Sequence, residues 1–358
     1  MHTHLRKYPQ GGCWVFSAPV FLIASIHMWH KLRILLIGLC IAIGMQAQTL
    51  GENARISLLT CSPGEELYAR YGHTAIRVLD ETNDIDIVFN YGIFDFNTDH
   101  FYWKFVRGET WYELGASPYH WFMYEYDRDN RPVYEQELNF TQEQKNLLWQ
   151  ALVENYRPEN RKYLYNFVFD NCATRPYHMI DRIFIGNNAE GAWSDYQGAE
   201  GMTYRRFIQR YTPKGSWADA GINLLFGPKA DQKMYGEERL FLPEELMFYV
   251  SEAQTADRKL VLNEHIAPFE IERVPWFKTW YLGLALYVLL VAGISYWDRR
   301  RKKRSRWIDI IFVCLYGLLL ILVTFLTFFS CHPLVGFGWR LIILPMAHLC
   351  ARFIYILR

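Results

Sequence analysis

Cys172 and His73 are the side chains of this sequence whose surroundings best suit nucleophilic chemistry. Cys172 stands in YNFVFDNCATRP (165–176), just past an apolar, aromatic run and directly behind Asp170 and Asn171. A thiol attacks as its thiolate, so it needs a base within reach and a group that orients the base. Between residues 48 and 275 the bases on offer are His73, His100, His120, His178 and His265. His73 has the best context, EELYARYGHTAIRVLD, where it opens an alternating strand and can project into a cleft from a fixed backbone. Gly72 before it lets another segment come close. His178 follows Cys172 too late to share a helix face with its first turn. His100 and His120 sit in aromatic text that suits packing or an interface. If Cys172 starts a helix, the unpaired amides and dipole of that turn lower its pKa. The same amides could hold an oxyanion.

The elements that must position these groups are legible in part. ARISLLTC, HTAIRVLD and DIDIVFNYGIFDFN alternate as strands do. TQEQKNLLWQALVENY reads as a helix with Thr141 as its N-cap, although Lys145 makes a poor capping-box partner. Leu164–Phe169 reads as extended, with a helix from Cys172 in which Pro176 is early enough to be tolerated. Residues 187–221 are loop-rich, apart from a short helix in GMTYRRFIQRYT.

At larger scale the 358 residues divide into zones. Residues 28–47 have a short basic start, an apolar run and a small-residue ending, which predicts a signal peptide cleaved near Ala47–Gln48. Residues 1–27 then read as an upstream mis-start. Residues 48–275 hold no membrane-length run and form the exported domain. Residues 276–297 and 307–330 each read as a transmembrane helix. The basic loop between them, 298–306, carries seven Lys or Arg and belongs on the cytoplasmic side. The exported domain therefore lies outside the inner membrane, in the periplasm, as the signal peptide independently implies. After a periplasmic loop at 331–338, residues 339–357 read as a third transmembrane helix, and the ending looks truncated.

Seven cysteines bound the redox question. Cys13 and Cys40 precede the cleavage point, and Cys314 and Cys350 fall in apolar spans. Cys61, Cys172 and Cys331 remain outside, too few for a disulfide scaffold. A Cys61–Cys172 bond stays open beside a free catalytic thiol. HExxH and CxxC motifs are missing, so neither a metal nor another cofactor is expected. A net charge of +1 gives no reason to expect nucleic acid. The aromatic content of 17% suits a protein that meets a membrane, and FYWKFV and YHWFMYEY are the clusters that could dip into the interface.

The segments LLTCSPGEELYARYGHTAI (58–76), NYGIFDFN (90–97), FYWKFVRG (101–108) and YNFVFDNCATRP together resemble the Bacteroidota lipoprotein N-acyltransferase family. The resemblance covers roughly residues 50–330. It implies an α+β fold of the papain-like (permuted NlpC/P60-like, lecithin:retinol acyltransferase-like) superfamily, followed by a transmembrane helical part. It also implies a Cys172–His73 thiol acyltransferase, with a phospholipid as acyl donor and a lipoprotein N-terminus as acceptor. Relatives place a polar orienter on the strand after the histidine, which here means Asn90 or Asp95, with Asp86 a further candidate. Tyr71 and Arg175 are candidates for an oxyanion or substrate contact. Two rival functions stand beside this one: a cell-wall peptidase or amidase of the same fold, and a non-enzymatic envelope sensor or assembly protein.

Overall fold

The computed structural model describes residues 49–66, 69–94, 99–185, 193–194, 196–255, 258–271 and 273–339, together with 341, 342, 345, 346, 348 and 352. The signal peptide and the preceding residues 1–27, Asp95, and much of the third apolar run lie outside the described residues.

Alternating apolar residues at 55–61, 73–80 and 85–94 form the first three strands, β1 (Arg55–Cys61), β2 (His73–Asp80) and β3 (Ile85–Phe94). A short helix α1 (Phe101–Arg107) connects β3 to β4 (Trp111–Pro118). Helix α2 (Tyr119–Arg128) then leads to β5 (Val133–Leu138), α3 (Gln142–Tyr156) and β6 (Lys162–Leu164). Helix α4 (Thr174–Ile185), strand β7 (Trp193–Ser194), α5 (Tyr204–Arg210), α6 (Trp217–Leu225), α7 (Pro243–Glu252), β8 (Ala253–Gln254) and β9 (Val261–Glu264) follow ahead of the apolar runs. Seven strands make one antiparallel sheet in the order β6-β4-β3-β2-β1-β5-β9, which puts β2 at its centre. The architecture is thus α+β on an antiparallel sheet.

Strand alternation divides the core between the two sheet faces. On one face Leu59, Cys61, Ala75 and Val88 pack under Phe122 and Tyr126 of α2. On the other, Phe89 meets the edge of Trp149 from α3, with ring centroids 6.1 Å apart. Helix α4 packs on β2 and α7 on β1. Thr141 caps α3 with a complete capping box, but the partner is Gln144 at the third helical position and not Lys145.

The two apolar runs form α8 (Trp280–Arg301) and α9 (Arg306–Phe329), both long and apolar enough to cross a membrane. Helix α8 runs through Asp298–Arg301, so the turn between the two is shorter than the basic stretch 298–306. Residues 276–278 form a single 3-10 turn ahead of α8.

Candidate active site

β2 and β3 pair from Asp80–Ile85 up to Ile76–Phe89, and there the ladder ends. Continuing that register would set Ala75 against Asn90 and His73 against Gly92. Instead β3 shifts its register against β4 between Tyr91 and Ile93, and Gly92 takes a φ of 107°. That backbone conformation favours glycine. The two central strands therefore part at the sheet end where β2 begins. His73 and Thr74 line one side of the opening, and Asn90 and Gly92 the other. A Cβ built on Gly92 would lie 3.6 Å from His73 Cε1 and 3.8 Å from Cys172 Cβ, so the two side chains meet over this glycine.

Cys172 reaches the opening because Asn171 fixes the start of α4. The amide of Arg175 donates to Asn171 O at 3.2 Å, so a capped turn opens at Asn171 and holds Cys172 just ahead of α4. Asn171 Oδ1 accepts from the amides of Ala173 and Thr174 at 2.8 and 3.0 Å, and Thr174 Oγ1 accepts from the Asn171 amide at 2.8 Å. Asn171 Nδ2 donates to the carbonyls of Phe167 and Phe241 at 2.7 and 2.8 Å. The side chain is buried with its amide fully used. Pro176 has no amide to give Cys172 O, and the helix continues with Tyr177 N donating to Ala173 O at 3.1 Å. Upstream, the extended reading of Leu164–Phe169 is wrong. β6 stops at Leu164, and Asn166 Oδ1 accepts from the amides of Val168 and Phe169, each at 3.1 Å. This Asx turn overrides the strand preference of the aromatic run.

The His73 ring is held from behind. His73 Nε2 lies 2.5 Å from Asn90 Oδ1, which leaves Nδ1 for the thiol. Both His73 and Cys172 are half-buried, so solvent and substrate can reach them. Burial pushes the Cys172 thiol up. The His73 charge and hydrogen bond, the Thr74 amide and its own amide outweigh that, and the thiol falls below its ordinary range. Burial pulls His73 down. The Cys172 charge and hydrogen bond, then the Asn90 contact, hold the imidazole above its ordinary value, with Arg131 opposing them. Each group thus favours the charged form of the other, the thiol shifting down and the imidazole up.

The first-turn amides have a narrower part than the sequence suggests. Those of Ala173 and Thr174 are taken by the cap, while those of Cys172 and Thr74 face the sulfur. Thr74 was not singled out from sequence. Its amide is open because the β2–β3 ladder stops short of it. A tyrosine wall also escaped sequence reasoning. Tyr112 and Tyr165 stack with centroids 4.2 Å apart, and Tyr163 lies under the Arg175 guanidinium at 3.7 Å. Burial first, and then the Cys172 charge, push the phenols of Tyr112, Tyr163 and Tyr165 up, Tyr112 to about 12.

The remaining sequence candidates have partners of their own. The Tyr71 hydroxyl donates to Thr212 Oγ1 at 3.3 Å, because Thr212 gives its own proton to Ile208 O at 2.9 Å. Arg175 forks onto Asp170 with contacts of 2.5 and 2.8 Å. Neither arrangement offers a proton to the thiol. Asp86 pairs with Arg77 at 2.8 and 2.9 Å and is away from His73. Gly72 takes a φ of 78°, and a Cβ there would lie 2.6 Å from Cys61 O. His100, His120, His178 and His265 are exposed. Cys61 and Cys172 are both free thiols, with Cys61 buried.

A family model described as the Lnb N-terminal periplasmic domain matches residues 45–210, and one described as the Lnb transmembrane domain matches residues 274–358. No curated protein and no solved structure gives a significant match. The first domain holds Cys172, His73 and Asn90, and the second takes in α8 and α9. This is a membrane protein with a periplasmic domain, and the chain belongs to the Lnb-type lipoprotein N-acyltransferase family.

Proposed function

We propose that the protein transfers a fatty acyl chain from a membrane phospholipid, through a thioester on Cys172, to the N-terminal amine of a diacylglyceryl-cysteine lipoprotein. The observation that carries this reading is the meeting of Cys172 and His73 over Gly92, with the imidazole on Asn90, in a periplasmic domain joined to membrane helices. It also supports a papain-like reading, in which a cysteine at a helix start faces a histidine on a strand.

In the first half-reaction the Cys172 sulfur adds to the ester carbonyl of the phospholipid. The Cys172 amide is the donor best placed for the resulting oxyanion. As the carbon–oxygen bond breaks, His73 gives its proton to the departing lysophospholipid oxygen, leaving a thioester and a neutral imidazole. In the second, the lipoprotein amine adds to the thioester carbonyl and passes a proton to His73. The carbon–sulfur bond breaks, an amide forms, and Cys172 returns as thiolate beside imidazolium. Asn90 holds the ring through both halves.

A peptidase would use the same pair but has no need of the membrane helices, which favours lipid substrates. Mass spectrometry of lipoprotein N-termini, from cells with the protein, without it, and with Cys172→Ala, tests the proposal. The N-acyl amide should be present only with the intact protein. Continued acylation by Cys172→Ala would exclude the thioester route.

A further inference from the structure

The β3–β4 connection carries a feature that the chemistry of Cys172 does not use. Helix α1 exposes Trp103 (55%) and Phe105 (50%), far more apolar surface than a connector needs. The same helix is fastened to the outer end of α9. The amide of Cys331 donates to Arg107 O at 2.7 Å, and His332 Nε2 donates to Val106 O at 3.1 Å. The Trp103 and Phe325 rings lie 5.3 Å apart. Gly108 closes α1 in a left-handed conformation, and a Cβ there would meet the His332 ring at 3.3 Å. The helix is therefore held at the height where a membrane-length helix leaves the bilayer.

The outer end of the other span is marked in the same way. Trp276 and Phe277 are exposed just before α8 begins. Aromatic side chains at this level fit the boundary between headgroups and acyl chains, where an apolar ring can be buried while its polar edge stays wet. By contrast, α2 exposes Trp121 and Tyr124 but packs on β3 and β4. Of the two aromatic clusters, α1 is the one whose hydrogen bonds and ring contact to α9 and the loop after it are seen among the described residues.

We propose that α1 is an interfacial helix whose Trp103 and Phe105 insert into the outer leaflet beside α9, seating the sheet end that holds Cys172 against the bilayer. The topology supports the second half of that statement. Helix α1 joins the end of β3 to the start of β4, so it lies at the sheet end where β2 and β3 part. Trp111 and Leu164, register partners at that same end, are also exposed. They extend the apolar surface from α1 toward the site. An acyl ester in the outer leaflet would then meet the thiol without leaving the membrane surface. The inference rests on the membrane attachment and not on the reaction proposed for Cys172.

The test uses the full chain in nanodiscs of phosphatidylethanolamine and phosphatidylglycerol, doped with phosphatidylcholine brominated near the headgroup or near the chain end. Tryptophan emission is compared between the unmodified protein, Trp103→Phe and Trp121→Phe. The emission component removed by Trp103→Phe should be quenched by bromine near the headgroup, and the component removed by Trp121→Phe should not. Phe105→Trp in the Trp103→Phe background should restore a quenchable component. If the Trp103 component is unquenched by bromine at either depth, or Trp121 is quenched equally, the proposal is overturned. The first result would leave α1 as a surface for a soluble partner.

Discussion

Cys61 and His73 stand directly opposite each other on β1 and β2, yet the thiol that hydrogen-bonds His73 comes from the turn ahead of α4. The register pair shares a sheet face, and Cys61 is fully buried there under Phe122 and Tyr126. Burial pushes its thiol up to about 12, with a hydrogen bond to Tyr126 only partly offsetting it. Cys61 therefore stays a neutral thiol at physiological pH, shielded from reagents. We predict that iodoacetamide modifies Cys172 in the native protein and reaches Cys61 only after unfolding, as read by peptide mass spectrometry. Native labelling of Cys61 at the rate of Cys172 would contradict this account.

The Cys172 alkylation rate should follow pH with its apparent pKa below the ordinary thiol value of 9.0. The sign follows from the causes. The thiolate is favoured by imidazolium, so reactivity is lost as pH falls and the sulfur is protonated. As pH rises through the elevated His73 value, the thiolate loses its cationic partner. Removing the ring leaves burial, which pushes the thiol up. His73→Ala should therefore move the alkylation midpoint upward. An unchanged midpoint would mean that the histidine does not set the thiol's charge.

Much of this site was legible in the chain, and the remainder depends on contacts between distant segments. Period-two alternation located β1 to β3, and local pattern placed a helix from Cys172, although it starts two residues later, at Thr174. Gly92 could not be assigned from sequence, because its importance lies in a register that fails between β2 and β3. In sequence Asn171 is simply a neighbour of Cys172, whereas its worth comes from the carbonyl of Phe241, a residue far along the chain. Arg175 and Tyr71 carry suitable chemistry, and the fold also pairs them with Asp170 and Thr212, which their chemistry alone does not reveal. The aromatic run before Cys172 misled in the other direction, since the Asn166 side chain turns a β-like stretch back on itself.

Asn90 should act as a positioning residue. Its Oδ1 accepts from the ring nitrogen that does not face sulfur, and it helps hold the imidazolium form. A hydrogen bond to a charged group is worth ~1.5–3 kcal/mol, so Asn90→Ala should slow thioester formation by about 10- to 150-fold. It should also lower the pH of the alkaline limb, a change that mere loosening of the fold would not produce. A rate loss without that shift would assign Asn90 a purely structural role.

At an ordinary N-cap, Asn and Asp are nearly equivalent. Position 171 should break that equivalence. Asp would keep one oxygen for the Ala173 and Thr174 amides. Its other oxygen would face the Phe167 and Phe241 carbonyls, now acceptor against acceptor in a buried site. Leaving buried polar groups unpaired costs roughly 1–3 kcal/mol. Thermal unfolding in detergent should show Asn171→Asp clearly destabilised, together with slower Cys172 alkylation. Equal stability of the two proteins would argue that the cap does not hold the nucleophile.

Arg352 gives the membrane part its own test. It is almost fully buried, yet it reaches Asp309 at 2.9 Å, Asp298 at 3.1 Å and Ser295 Oγ at 3.0 Å. Asp298 lies near the end of α8 and Asp309 near the start of α9, so one guanidinium ties both spans to the apolar run that follows them. Charges inside apolar spans persist when they are paired. Removing one member of a buried pair leaves the others uncompensated, at a cost of about 3–5 kcal/mol, whereas removing all members is often neutral. Arg352→Met should therefore lower the unfolding temperature sharply, even though Arg304 still contacts Asp309 at 3.0 Å. Adding Asp298→Asn and Asp309→Asn to Arg352→Met should recover most of the loss. If the triple variant is no more stable than Arg352→Met, the cluster contributes through shape and packing and not through charge.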